Sequence, residues 1–278
     1  MKKTIYPCLW FDTNAKAAAE FYISIFPNSK IHQDTGVVCS FDLMGTKLIG
    51  LNGGPKYKVN KAVSYFVYCG TDVDIDKLYH SLKEGGEVLF PLDKYDWSPR
   101  YAWVQDKFGV NWQLDIEPIN NAQKIVPCLL FSNTKRTQVK EAMLHYTSIF
   151  KESRSLMEYP FPPQAGMPQG ALLFGQIKLG DFILNLMSGT DKESEDFTCG
   201  NSFVIECDTQ KEIDFYWDKL GEAGAYSMCG WLEDKYGVSW QIVPSILPKL
   251  MSDPVKGPRV VQAFLKMQKF DIAALENA

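Results

Sequence analysis

An α+β fold of tandem βαβββ units is what this 278-residue sequence predicts, and three observations predict it. The phrase "DKFGVNWQ" that starts at Asp106 returns as "DKYGVSWQ" at Asp234. Other phrases recur in the same order: "PCLWFD" at Pro7 and "PCLLFS" at Pro127, "FYISIFPNS" at Phe21 and "HYTSIFKES" at His145, "SYFVYC" at Ser64 and "SFVIEC" at Ser202. Within each copy, strand-like and helix-like stretches then follow one another in a fixed sequence. A period of this length means duplicated architecture rather than coincidence of composition.

Each element has its own signal. Ile5 to Phe11 reads as a buried strand, and Asn14 to Phe26 as a helix with Ala18, Phe21, Tyr22 and Ile25 on its apolar face, stopped by Pro27. Short strands follow near residues 31–35, 37–44 and 47–51, with Gly36 and Gly45 as turn formers. The theme then repeats. Ala62 to Cys69 is a strand, Val73 to Lys83 a helix halted by Gly85 and Gly86, and residues 88–90, 101–105 and 110–116 are strands. The repeat divides the chain into modules at 1–120 and 121–244 and a helical C-terminal extension at 245–278, broken by Pro254 and expected to pack against the second module.

Composition narrows the function. Apolar residues make up 46%, charged residues 22%, and the formal charge is −4, the balance of a soluble globular chain. No Lys/Arg cluster supplies the basic footprint of a nucleic-acid binder. No apolar run approaches the roughly 20 residues of a membrane span, and Asp12 interrupts the opening too early for a signal peptide, so a cytoplasmic protein is expected. The seven cysteines include no Cys-x-x-Cys pair. Cys8, Cys69, Cys128 and Cys207, at equivalent places, read as small buried hydrophobes.

The phrases "PCLWFDTNAKAAAEFYISIFPNS", "LNGGP", "SYFVYC" and "CGWLEDKYGVSWQIVP" resemble the vicinal oxygen chelate superfamily, the glyoxalase and bleomycin-resistance fold, and within it the PhnB-like branch. Some members of that branch carry a demethylubiquinone methyltransferase label, and the tail from Ser252 resembles their ending. The resemblance covers nearly the whole chain. It implies that two βαβββ units curl into a half-open sheet cup around a ligand and often a metal. Four units here imply two half-open sheet cups, one per copy, in a fused pseudo-dimer that is a monomer or a weak homodimer.

Metal-using members of the superfamily place His, Glu or Gln on the first and last strands of each unit. Those places hold Pro7, Cys8, Asn52, Ser64, Tyr65 and Gln113 in copy one, and Pro127, Cys128, Asn185, Ser202 and Gln241 in copy two. His32, His80 and His145 lie elsewhere, at spacings that form no metal motif. No cofactor is expected, and a divalent metal has no support from the placement of His and Glu. No Gly-x-Ser-x-Gly elbow and no Gly-x-Gly-x-x-Gly loop appears, which leaves hydrolase, dinucleotide and methyl-donor chemistry without a motif.

The copies differ in their loops, where function usually sits. Copy one carries the extra "PLDKYDWSPRYAW", with Tyr95, Trp97, Arg100, Tyr101 and Trp103; copy two carries the extra "MEYPFPPQAGMPQG". The first insertion reads either as a hairpin tip that lids a cup, its rings on a planar ligand and Arg100 on an anion, or as filling between modules. The second reads either as a lining or cap of the other cup or, in preference, as a flexible loop without a ligand. Trp112 and Trp240 are core residues, Gln113 and Gln241 lie on the opposite, ligand-facing side, and Asp106 and Asp234 form turns.

Three functions follow. The first is a metal-independent small-molecule binding protein whose ligand-binding residues are Trp97, Arg100, Tyr101, Trp103, Gln113 and Gln241. The second is a metal-dependent lyase, isomerase or dioxygenase of the same superfamily. The third is a structural or interaction protein whose cups are filled by their own side chains.

Overall fold

The computed structural model describes residues 4–116, 123–190, 192 and 195–278. The chain forms two compact units, one of residues 7–201 and one that joins the start of the chain, through Tyr6, to residues 202–278.

The larger unit opens with β1 (Ile5–Phe11), which enters it at Pro7, and α1 (Ala15–Ile25). Three strands follow, β2 (Lys30–Asp34), β3 (Val38–Leu43) and β4 (Thr46–Asn52). Next come β5 (Val63–Tyr68), α2 (Asp72–Lys83), β6 (Glu87–Tyr95), β7 (Ser98–Gln105) and β8 (Asn111–Asp115). Then come β9 (Ile125–Phe131), α3 (Val139–Ile149), β10 (Arg154–Pro160), β11 (Leu172–Leu179) and β12 (Phe182–Ser188). In every group the first strand pairs parallel with the last, and the remaining two pair antiparallel outward: β1 with β4 and then β3 and β2, β5 with β8 and then β7 and β6, β9 with β12 and then β11 and β10. A helix between the parallel strands is what such a crossover requires.

One feature corrects the expectation of one cup per copy. Antiparallel pairing of β5 with β9 joins the second half of copy one to the first half of copy two, giving an eight-stranded sheet in the order β10-β11-β12-β9-β5-β8-β7-β6. The repeat identifies the units but leaves open which two units share a sheet.

The smaller unit has the same grammar. β13 (Asn201–Cys207) pairs parallel with β16 (Ser239–Pro244), and β15 (Trp231–Glu233) and β14 (Ala225–Tyr226) follow outward. Between them α4 (Gln210–Gly221) starts on a capping box in which the Thr209 hydroxyl accepts from the Glu212 amide while Glu212 reaches back to the Thr209 amide. The tail forms α5 (Leu247–Ser252), α6 (Gly257–Phe264) and α7 (Ile272–Glu276). It packs within this unit: Phe270 is buried, Gln210 donates to the Phe270 carbonyl, and Lys269 pairs with Asp214 on α4 at 2.7 Å. Among the described residues no helix is long and apolar enough to cross a membrane.

The repeated phrase has a physical cause beyond a turn. Asp106 is buried, and its carboxylate accepts four hydrogen bonds: Oδ1 from the amides of Phe108 at 2.8 Å and Val110 at 3.1 Å, Oδ2 from Trp112 Nε1 at 2.8 Å and Tyr22 Oη at 2.8 Å. Gly109, at φ +87°, lets the chain turn back. In the smaller unit Asp234 accepts from the amides of Tyr236 at 2.9 Å and Val238 at 3.1 Å and from Trp240 Nε1 at 2.9 Å, with Gly237 at φ +87°. Aspartate, glycine and tryptophan at this spacing therefore form one motif, a buried carboxylate that staples the turn to the core ring of the following strand.

Burial raises the Asp106 carboxyl above the ordinary aspartate range, while the bonds from Trp112, Tyr22, Phe108 and Val110 pull it back down. The native state thus holds that proton more firmly than the unfolded chain. Ionising Asp106 costs stability as pH rises from the ordinary aspartate value through the raised one. Asp106→Asn, which replaces an acceptor by a donor facing other donors, is expected to cost about 2–4 kcal/mol, and Tyr22→Phe about 1–2 kcal/mol, because bonds to charged groups are worth more than neutral ones. Urea unfolding of both variants checks the values, and equal losses would show that Tyr22 alone carries the staple.

Candidate functional site

The eight-stranded sheet has two faces of different chemistry. One carries Trp112, Leu114, Val104 and Leu129, all wholly buried. On the opposite face, by strand alternation, lie Phe66, Tyr68, Tyr101, Trp103, Val126, Cys128, Leu130 and Ile183, a single packed cluster. This second face is concave. Phe66 on β5 and Phe174 on β11 have ring centroids 6.0 Å apart, although three strand spacings, about 14 Å in a flat sheet, separate their strands. Asn185 on β12 likewise reaches Tyr68 on β5, its Nδ2 donating to Tyr68 Oη at 3.2 Å.

Strand register orders the concave face in rows. A polar row runs Gln105, Asn111, Ser64, Cys128, Asn185, Gln176 across β7, β8, β5, β9, β12 and β11. Its members bond to one another and to the next row: Gln113 Nε2 donates to Ser64 Oγ at 2.7 Å, Tyr101 Oη donates to Gln113 Oε1, Trp103 Nε1 donates to Asn111 Oδ1 at 3.1 Å, and Gln176 Nε2 donates to Asn185 Oδ1 at 2.9 Å. Beside it stand the rings. Phe90 lies parallel to Trp103 at 6.1 Å, Tyr95 stacks on Trp97 at 4.9 Å, and both Tyr95 and Trp97 meet Tyr101 edge-on. On the far side Tyr159 joins Phe174 at 6.4 Å. Tyr101 Oη keeps its proton, because burial first and then nearby acidic groups push it well above the usual tyrosine range.

The residues expected at the site divide. Tyr101, Trp103 and Gln113 meet on the concave face, buried, with Gln113 facing away from Trp112 as alternation requires. Trp97 sits in the two-residue turn of the β6–β7 hairpin and is 63% exposed. The stretch that is extra in copy one is therefore the tip of a long hairpin. Arg100 faces the other way: it pairs with Asp76 and lies 4.0 Å from Asp72 on α2, which ties the hairpin to that helix. Gln241 belongs to the smaller unit, where its Nε2 donates to Ser202 Oγ at 3.0 Å, the same Ser–Gln bond as Ser64–Gln113. Phe66, Phe90 and Gln176 are additional, while Asn185, a candidate position of copy two, comes to the same face as Gln113. The signal for Phe66 was the alternation Ser64-Phe66-Tyr68; the contribution of β11 and β12 has none, because it depends on which units pair.

The strands where metal-using relatives keep ligands are here β5, β8, β9 and β12, with Ser64, Gln113, Cys128 and Asn185. These do not fit a divalent cation. Gln113 Oε1 and Asn185 Oδ1 already accept hydrogen bonds, and burial pushes the Cys128 thiol far above its ordinary range, so it is no thiolate ligand. Among the described residues no group of three or more His, Cys, Asp and Glu is placed to hold a metal ion.

Paired βαβββ units around a concave sheet define the glyoxalase/bleomycin-resistance fold. Maize (Zea mays) glyoxalase I shares this fold at a TM-score of 0.59 with 11% identity, over 87% of this chain and 93% of its own. The family model described as 3-demethylubiquinone-9 3-methyltransferase matches residues 3–115 and again residues 123–243, and the chain belongs to this PhnB-like family. A PhnB protein from Bacillus cereus is 29% identical over 40% of this chain and 98% of its own, at a TM-score of 0.38. No curated protein matches the chain.

After incubation with nickel, zinc, manganese and iron and then desalting, plasma mass spectrometry is expected to find far less than one metal per chain. Near-stoichiometric retention that disappears in Gln113→Ala would show that these side chains do hold a cation.

Proposed function

We propose that this chain is a metal-independent small-molecule binding protein that holds a planar, mainly apolar ligand on the concave face of the eight-stranded sheet. The observation that carries the reading is a continuous array of rings beside a row of neutral hydroxyl and amide groups. Phe90, Trp97 and Tyr159 at its rim are 38%, 63% and 54% exposed, so packing does not use them up. Rings of this kind stack on a planar molecule, and the neighbouring amides supply one polar edge. Arg100 has no part in it, since it is engaged with α2. A methyl-transfer role lacks a glycine-rich donor loop, and the family description stays a name for the family.

A second reading, a structural or interaction protein with filled cups, is favoured by one fact: Tyr101 and Trp103 on the floor are less than a tenth exposed. Tryptophan fluorescence titration with 2-naphthol and quinoline separates the two. Saturable binding, weakened about tenfold in Trp97→Ala, is expected from the loss of one stacking contact. No saturable response to either probe, from a protein that unfolds at the same midpoint as Trp97→Ala, would sink the ligand reading and favour the filled cup.

A further inference from the structure

Away from the concave face, a groove of about 760 Å³ opens between the end of α1 and the start of α2. Its size falls in the range of small-molecule sites. α1 ends at Ile25 with Phe26 as its cap, Pro27 follows, and Asn28 takes a left-handed φ of 52°. Phe26, Leu78 and Cys69 form a buried apolar floor, and Met44 adds a half-buried thioether. Lys30 and Lys77 stand on the walls, both exposed and in no ion pair among the described residues. The one carboxylate of the lining, Asp74, is occupied at the head of α2, where its Oδ2 accepts from the Thr71 hydroxyl at 2.7 Å.

Gly70 gives a second, independent observation. Most glycines of this chain have a structural reason: a positive φ, or a Cβ that would collide with a neighbour, as at Gly53 against Trp10 and Gly86 against the Gln105 carbonyl. Among the described glycines, Gly70 alone has neither, with an ordinary φ and nothing within 4 Å of where its Cβ would stand. It lines the groove. What its missing side chain leaves is room.

We propose that this groove is a second binding site, for an amphipathic carboxylate whose apolar body lies on Phe26, Met44 and Leu78 and whose head group meets the ammonium groups of Lys30 and Lys77. An uncharged apolar molecule would leave both cations unused, and a small anion would leave the floor bare. The site is separate from the concave face and does not depend on the reading given for it.

The test uses octanoate as the probe and 1-octanol as its uncharged match, followed by amide chemical shifts of the full chain. Octanoate is expected to shift the amides of Ser29, Gly70 and Lys77 with saturation, and octanol to bind at least tenfold more weakly. Lys30→Glu with Lys77→Glu should weaken octanoate at least tenfold, and Gly70→Trp should abolish binding with both lysines intact. Equal binding of octanol, shifts confined to the concave face, no shifts at all, or full binding by a folded Gly70→Trp would each overturn the proposal.

Discussion

The buried carboxylate of Asp106 is the constraint on which the larger unit depends. A carboxylate removed from water is costly unless its oxygens are met by donors, and here the donors come from places that nothing else brings together: two amides of its own turn, the indole of Trp112 and the phenol of Tyr22. Tyr22 belongs to α1, in the first half of copy one, and Trp112 to β8, in the second. Burial also keeps the Tyr22 proton in place, so it remains a donor. The bond therefore fixes the position of α1 relative to the eight-stranded sheet as well as the turn at Gly109. The raised carboxyl shows that the hydrogen bonds only partly offset desolvation. What the arrangement contributes is geometric definition, since any displacement of helix or turn leaves charged acceptor and neutral donors unmatched.

With the convex side fixed in this way, the concave side is free to vary. Its floor takes polar residues from both copies, Ser64 and Gln113 from copy one and Asn185 and Gln176 from copy two, because β5 pairs with β9. A parallel pair needs a helix-length crossover, whereas an antiparallel pair needs only that two strands run in opposite senses. Pairing β5 with β9 satisfies the exposed edge of each half with the next half in the chain. Either unit could do this for any other, so periodicity alone carries no information about the choice.

That limit explains what was legible in the sequence. The strand Ile5–Phe11 is found as expected, α1 and α2 differ from expectation by a residue at most ends, and the alternation that set Gln113 against Trp112 holds. Local patterns dictate local structure. The sequence groups Arg100 with its aromatic neighbours Tyr101 and Trp103, while alternation along β7 sends it to the helix side, where it meets Asp72 and Asp76. Asp106 was seen as a turn former, which it is, but its bond to Tyr22 spans 84 positions and no local pattern announces it.

The polar row also bears on what chemistry the concave face can support. Each of Gln113, Asn185 and Ser64 already has a partner at hydrogen-bond distance, so a ligand gains little by competing for them and would leave one amide unpaired for every bond it took. The rings carry no such penalty. Trp97 and Phe90 expose faces to solvent, and covering them removes apolar surface from water without breaking a bond. On the proposed reading, affinity on this face would come from stacking, with the amides acting as a filter that admits a ligand only where its polar edge matches bonds already in place. On that reading the face would suit recognition and holding, and it also carries a carboxylate, Asp115, buried opposite Tyr101 and met by the Ser98 hydroxyl at 2.7 Å.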